Sequence, residues 1–275
     1  MTMCTAGSVS IGQNTPLTII GGPCVLESLE MGLDIGRAML DVCSGAGVQY
    51  IFKASFDKAN RSSISSYRGP GLEQGLEWLA EIRETLGVPA TTDIHEPAHA
   101  EPVAAALDLI QIPAFLSRQT DLLLAAGEAA AKHGRAVNVK KGQFMAPAEM
   151  AGPIKKLGEA GCDNLMLTER GTFFGYHKLV NDFTGLGDLL ELGPPVCFDV
   201  THSTQLPGSG SQTGGRPECA PLLGRAAAAA GVHALFIETH PDPGKAKSDG
   251  ATVLPIDVAS RIIRDAAAIR SALDA

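Results

Sequence analysis

The sequence predicts a single-domain α/β protein, a (β/α)8 TIM barrel spanning 1–275 with a short N-terminal extension over 1–16. Three observations predict it. Eight short, continuously apolar runs recur along the 275 residues, each stopping at a polar or reactive side chain. Between them lie Ala-, Leu- and Glu-rich segments of helical spacing, closed by Gly. The first run leads into GGPCVLES, which is not the G-x-G-x-x-G that a doubly wound sheet calls for.

Taken in order, LTIIGGPC ends at Cys24, YIFKASF surrounds Lys53, ATTDIHE carries Asp93 and His95, and LIQIPAF carries Gln111. AVNVKKG then surrounds Lys140, NLMLTERG ends at Glu169 and Arg170, VCFDVTH runs from Asp199 to His202, and ALFIETH holds Glu238 and His240. Unbroken apolarity marks strands buried on both faces, as in a parallel sheet. GLEQGLEWLAEIRETLG and DLLLAAGEAAAKHG are two of the intervening helices. Two connections are long and rich in Ser, Gly and Arg: KANRSSISSYRGPG and STQLPGSGSQTGGRPE. Such loops either close over a ligand or wander over the surface. The first 16 residues form a cap over the barrel floor or hang loose. Ionisable residues gather at the strand ends, which in this fold form the active face.

Composition narrows the function. With 45% hydrophobic residues and 19% charged ones, disorder is excluded. The formal charge of −8 repels nucleic acid and anionic membranes. The longest apolar stretch of note, 226–237, is too short to span a bilayer. MTMCTAGSVS lacks the basic residues and apolar core of a secretory signal, so a cytoplasmic protein is expected. The six cysteines form no C-x-x-C pair and read as reduced, buried thiols.

Against this acidic background, Lys53, Lys58, Arg61, Arg68, Lys140, Lys141 and Arg170 fall at or near strand ends. Gathered on one rim they make a local trap for a small, multiply charged anion such as a phosphorylated metabolite. Taken singly, each also reads as an ordinary solvated charge. Cys24, His202, Glu238 and Asp249 follow strands one, seven and eight, which adjoin in a closed barrel. A thiolate, an imidazole and two carboxylates suit Zn, Fe(II), Mn or Co better than Mg or Ca. The alternative is a buried Cys24 and a structural His202. Asn60, Arg61, Ser62 and Ser63 offer clustered donors for a phosphate, or a solvated Ser-rich loop. Of the other histidines, His133 reads as a helix C-terminal residue and His99 and His177 as surface positions.

Longer strings are more specific. FKASFDKANRSS, SYRGPGLE, TTDIHEP, IQIPAFL, RQTDLL, NVKKGQF, LTERGTFFGY, DVTHS and ETHPDP occur in order between Phe52 and Pro243, within a resemblance that runs from about Leu17 to Pro255. Together they resemble the 3-deoxy-D-manno-octulosonate-8-phosphate synthases. The resemblance implies condensation of phosphoenolpyruvate with D-arabinose 5-phosphate, releasing phosphate, on the route to lipopolysaccharide. It implies that Lys140 and Arg170, helped by Gln111 and the backbone near Ala114, clamp the phosphoenolpyruvate phosphate. Lys53 and Lys58 correspond to lysines that hold its carboxylate and approach the aldehyde. Asn60, Arg61 and Ser62 correspond to the arabinose phosphate loop, with Arg61 reaching a neighbouring subunit in a homo-oligomer, usually a tetramer. Cys24 on the first strand resembles the metal-dependent class, with a divalent ion (Mn, Fe, Zn or Co) on Cys24, His202, Glu238 and Asp249. Catalysis is then expected from Lys58, Cys24, His202 and Asp249. His177 and Asn181 depart from the usual pattern at positions that are not ligands. The seven-carbon homologue, 3-deoxy-D-arabino-heptulosonate-7-phosphate synthase, is the nearest rival, but its K-P-R-T or K-P-R-S loop differs from K-A-N-R-S here. A Schiff-base aldolase using Lys140 and a non-catalytic metabolite-binding barrel are the others.

Overall fold

The computed structural model describes residues 2–61, 65–208 and 214–273. Eight parallel strands close into a ring: β1 Thr18–Gly22, β2 Gln49–Lys53, β3 Ala90–Asp93, β4 Leu109–Ile112, β5 Ala136–Lys140, β6 Leu165–Glu169, β7 Val196–Asp199 and β8 Ala234–His240. β7 pairs with β6 and β8, and β8 pairs with β1, so no edge is left unpaired. Each strand is followed by its helix: α1 Leu29–Ala46, α2 Leu72–Leu86, α3 Ala100–Ala106, α4 Thr120–His133, α5 Ala151–Glu159, α6 Phe183–Leu190, α7 Ala220–Ala229 and α8 Ile256–Leu273. The barrel read from the sequence is the one observed, with every apolar run on its strand.

Local chemistry sets the helix ends. The Ser28 side chain accepts from Met31 N–H at the start of α1. Gly47, Gly87 and Gly134 close α1, α2 and α4 in the left-handed conformation, where a Cβ would be strained. Gly22 has a different task. A Cβ there would lie 2.2 Å from Lys53 O, so only glycine lets β1 and the end of β2 approach this closely.

Two apolar regions hold the fold. The larger lies between strands and helices. The smaller fills the lower lumen with Ile20, Ile51, Leu109, Met166, Cys197 and Phe236, and Cys4, Ala6, Val9 and Ile11 pack onto it. Those four belong to an antiparallel hairpin, Cys4–Ala6 with Val9–Ile11, so the N-terminal extension is a plug in the barrel floor. Thr5 exchanges two hydrogen bonds with the Asn164 side chain, tying the plug to β6.

Residues two apart on a strand share a face. Above Ile51 therefore stands Lys53, above Leu109 Gln111, above Ala136 Asn138 and Lys140, above Cys197 Asp199, and above Phe236 Glu238. The lumen is apolar at the floor and ionisable at the C-terminal mouth. All six cysteines are free and five are buried, as the sequence suggested. Among the described residues no helix is long and apolar enough to cross a membrane.

Candidate active site

Four side chains meet where β1, β7 and β8 end. Cys24 lies two residues beyond β1, fixed by Ser55 N–H donating to its carbonyl. His202 follows β7 on a short 3-10 turn, Glu238 lies within β8, and Asp249 sits in the loop before α8. Thr201 Oγ accepts from the Glu238 N–H at 2.8 Å, locking the ends of β7 and β8 together. Asp249 has a φ of 50°, a left-handed conformation that Asp tolerates better than most residues, and its carbonyl accepts from Thr252 and Val253 N–H. Cys24 Sγ and one oxygen each of Glu238 and Asp249 fall within 4.8 Å of one another. His202 Nε2 stands 3.4 Å from Glu238 Oε2 and 3.6 Å from Asp249 Oδ2. Four residues scattered over 225 positions thus converge.

Their electrostatics suit the binding of a cation. Burial, reinforced by Asp249 and Glu238, pushes the Cys24 thiol well above the usual range, and it donates to Asp249 Oδ2 at 3.1 Å. Burial would raise Glu238, but Lys53, His202 and Lys58 outweigh it and bring it down to about 2. Glu238 Oε2 is buried without a hydrogen-bond partner among the described residues. An orphaned carboxylate oxygen facing a thiol, an imidazole and a second carboxylate is a donor set suited to a borderline-soft divalent cation.

Lys53 supports this group from beneath. Its ammonium donates to Glu238 Oε1 (2.7 Å), Ser55 Oγ (3.1 Å) and Cys24 O (3.2 Å), which engages all three N–H bonds. β1 separates β2 from β8, so the Lys53–Glu238 pair crosses the lumen. Sequence reading put Lys53 on substrate; in this structure its three N–H bonds go to Glu238, Ser55 and Cys24. Lys58, half-buried on the loop after β2, behaves differently. Burial lowers its pKa, but Cys24, Glu238, Asp93 and Asp249 around it overcome that and hold its ammonium well above the lysine range.

On the far side, Lys140 Nζ donates to Asp199 Oδ2 at 2.7 Å and lies 3.5 Å from the Phe236 ring centroid. Its pKa is lowered by burial, which Asp199 only partly offsets. Arg170 is 6% exposed; Nη2 donates to Gln205 Oε1 at 2.5 Å, while Nη1 is buried with no partner among the described residues. Gln111 is buried beside Asn138, and Ala114 opens the short turn after β4. Gln205 escaped sequence reading. It stands on a two-residue ladder with Gly214–Gly215, so the long loop after β7 is partly ordered by pairing. Lys141, expected on the rim, is instead fully engaged with Gly142 O, Met145 O and Thr172 Oγ and stands 3.5 Å from Glu169.

Asn60 is exposed, and Ser62 lies outside the described residues. Arg61 bonds within its own chain, to Ser248 Oγ (2.7 Å) and Lys247 O (3.1 Å), adjoining Asp249. His99 is half-buried against Phe56 and His95 rather than on the surface, because the turn after β3 folds back onto the loop. His95 Nε2 lies 2.9 Å from Asp93 Oδ2, and His133 pairs with Glu101. His177 is exposed.

A closed barrel whose mouth carries buried acids ringed by Lys58, Lys140 and Arg170 defines an enzyme for small anionic substrates. The chain belongs to the DAHP synthetase I family, whose model matches residues 1–270. It is 50% identical to a 2-dehydro-3-deoxyphosphooctonate aldolase of Syntrophotalea carbinolica, covering 95% of this chain and 93% of that one. A protein of the same name from Synechococcus sp. is also 50% identical, over 96% and 92% of the two chains. One from Desulfotalea psychrophila is 49% identical over 97% and 94%.

Proposed function

We infer that the protein condenses phosphoenolpyruvate with D-arabinose 5-phosphate, giving 3-deoxy-D-manno-octulosonate 8-phosphate and phosphate. It is a transferase of lipopolysaccharide (Kdo) biosynthesis. The observation that carries the reading is half-identity, end to end, with relatives whose name is that of the product-forming enzyme. The mouth supports it, since β2 and β6 lie opposite in the eight-membered ring, with Lys58 and Arg61 on the loop after β2 and Arg170 directly after β6. Two phosphorylated substrates are thereby given separate anchors.

The enol carbon of phosphoenolpyruvate attacks the aldehyde, water adds to the adjacent carbon, and phosphate leaves with its carbon–oxygen bond broken. Arg170 Nη1, buried and unpartnered, and Lys140 are the donors for the phosphoenolpyruvate phosphate, with Gln111 and the Ala114 backbone beside them. Lys58 meets the carboxylate and aldehyde, and Asn60, Arg61 and Ser62 receive the sugar phosphate. Their charges offset the mutual repulsion of two phosphates and a carboxylate at contact distance. A divalent ion (Mn, Fe, Zn or Co) held by Cys24, His202, Glu238 and Asp249 would polarise the aldehyde or activate the water. The orphaned Glu238 Oε2 and the mixed donor set support that assignment.

Steady-state assays comparing arabinose 5-phosphate with erythrose 4-phosphate test the reading. Higher catalytic efficiency with arabinose phosphate is expected, and the reverse would assign the seven-carbon reaction. Arg170→Ala removes the guanidinium whose Nη1 has no partner among the described residues and is expected to weaken phosphoenolpyruvate binding by about 1.5–3 kcal/mol. That is roughly 10- to 150-fold by calorimetric titration. Unchanged affinity would reject the clamp.

We propose that the protein works in the cytoplasm and that its functional unit is a homo-oligomer, a tetramer. The support is a hairpin after β6, Thr172–Gly175 with Lys178–Val180. Phe174 and Tyr176 are 93% and 95% exposed there, and with His177 they adopt left-handed backbone. Bulky residues resist that conformation, and exposed aromatics are poor surface groups unless a second copy covers them. Phe174→Ser with Tyr176→Ser is expected to shift the protein toward smaller species in light scattering; an unchanged mass would remove the hairpin from the interface.

A further inference from the structure

We propose that Asp199 is a positioning residue that couples the anion clamp to the cation site, so that each ligand tightens the other; this rests on the function inferred above. Asp199 is fully buried at the end of β7. One oxygen, Oδ2, faces both Lys140 Nζ at 2.7 Å and His202 Nδ1 at 2.8 Å. The other, Oδ1, accepts from the His202 backbone N–H at 2.9 Å. β6 lies between β5 and β7, so the Lys140 arm spans the lumen rather than a strand pair.

His202 Nδ1 faces the Asp199 carboxylate, so Nε2, 3.4 Å from Glu238 Oε2 and 3.6 Å from Asp249 Oδ2, is the nitrogen left to bind a cation while Nδ1–H donates to Asp199. Asp199 therefore aims the imidazole and raises its basicity as a ligand. It also occupies the ammonium that the phosphoenolpyruvate anion needs. Because one oxygen serves two donors, strengthening one weakens the other. A cation on Nε2 makes Nδ1–H a stronger donor, draws the carboxylate's charge toward the imidazole, and leaves Lys140 freer to hold an anion. An anion drawing on Lys140 releases Asp199 to His202 in turn. Linkage requires the two effects to be equal.

The test uses the full chain, stripped of metal with chelator or reloaded with Mn²⁺, titrated calorimetrically with phosphoenolpyruvate, and separately titrated with Mn²⁺ against a competing indicator. In the wild type, phosphoenolpyruvate is expected to bind at least about 5-fold tighter with Mn²⁺ than without, the lower end of ordinary coupling factors. Asp199→Asn is expected to weaken Mn²⁺ roughly 10- to 100-fold, as loss of a partner behind a ligating histidine does. The dependence of phosphoenolpyruvate affinity on Mn²⁺ should fall toward one. Lys140→Gln, which frees Asp199 for His202, is expected to tighten Mn²⁺ several-fold in the wild-type background and not in the Asp199→Asn background. A residue that only supported the fold would weaken Mn²⁺ in both single variants.

Equal phosphoenolpyruvate affinity with and without Mn²⁺ in the wild type would overturn the coupling, as would its survival in Asp199→Asn. If Asp199→Asn does not fold, Lys140→Gln decides alone: unchanged or weaker Mn²⁺ binding overturns the proposal. A wild type that binds no phosphoenolpyruvate in either state would instead overturn the inferred function. The Mn²⁺ response to Lys140→Gln still decides the Asp199 link in that case.

Discussion

Cys24→Ala is expected to lose both turnover and the divalent metal proposed above. The reason is the state of the thiol. Buried beside Asp249 and Glu238, Cys24 holds its proton far more tightly than a free cysteine and has a carboxylate oxygen 3.1 Å away to receive it. Only a cation at that point makes the thiolate favourable. An alanine leaves two carboxylates and an imidazole with no soft donor. A bound divalent ion contributes several kcal/mol to charge stabilisation, so turnover should fall roughly 10²- to 10⁴-fold. Exhaustive chelation of the wild type should give the same loss, reversed on adding Mn²⁺, Zn²⁺ or Fe²⁺. Elemental analysis, steady-state rates and circular dichroism on the same samples separate metal loss from unfolding. Full activity in a preparation with no detectable metal would remove the metal from the reading.

Lys53→Met is expected to cause the largest loss of stability. Lys53 and Glu238 are 2.7 Å apart, with side chains 2% and 0% exposed. The pair crosses the lumen, and the ammonium also satisfies Ser55 and the Cys24 carbonyl. Removing one partner of a buried ion pair strands the other, typically at a cost of ~3–5 kcal/mol. For a chain of this size each kcal/mol shifts the melting temperature by about 2–4 °C, so a drop of roughly 6–20 °C follows. Adding Glu238→Gln to Lys53→Met should recover part of it, because the stranded charge is removed with its partner. A single variant melting within about 1 °C of the wild type would refute the account. This prediction arises only from the structure; as a substrate lysine, Lys53 would have affected affinity more than stability.

The difference between these residues shows how far reading the chain could reach. Strands β1 to β8 were legible because each is buried on both faces and therefore uniformly apolar. The active face was legible because an ionisable residue ends nearly every run. Cys24, His202, Glu238 and Asp249 were recognised because their chemistry is unusual at such positions, and the geometry brings them together. Asp199, two residues above Cys197 on the same inward column, was visible only as a strand-end acid. Its place between Lys140 and His202 was not. Gln205 likewise lay unmarked in a loop of small polar residues.

The pattern of apolar runs and reactive ends determined the barrel, the mouth and the set of side chains that enter it, because strand periodicity and burial are local properties of the chain. Which of those side chains hold one another was decided by closure of the sheet. Lys53 and Lys140 differ little in sequence context: both are lysines ending an apolar strand. Closure sets Lys53 against Glu238, Ser55 and Cys24 with no N–H to spare, and sets Lys140 against a single carboxylate oxygen that it shares with His202. Between side chains this deeply buried, a partner 2.7 Å away across the ring decides whether a charge supports the fold or awaits a ligand.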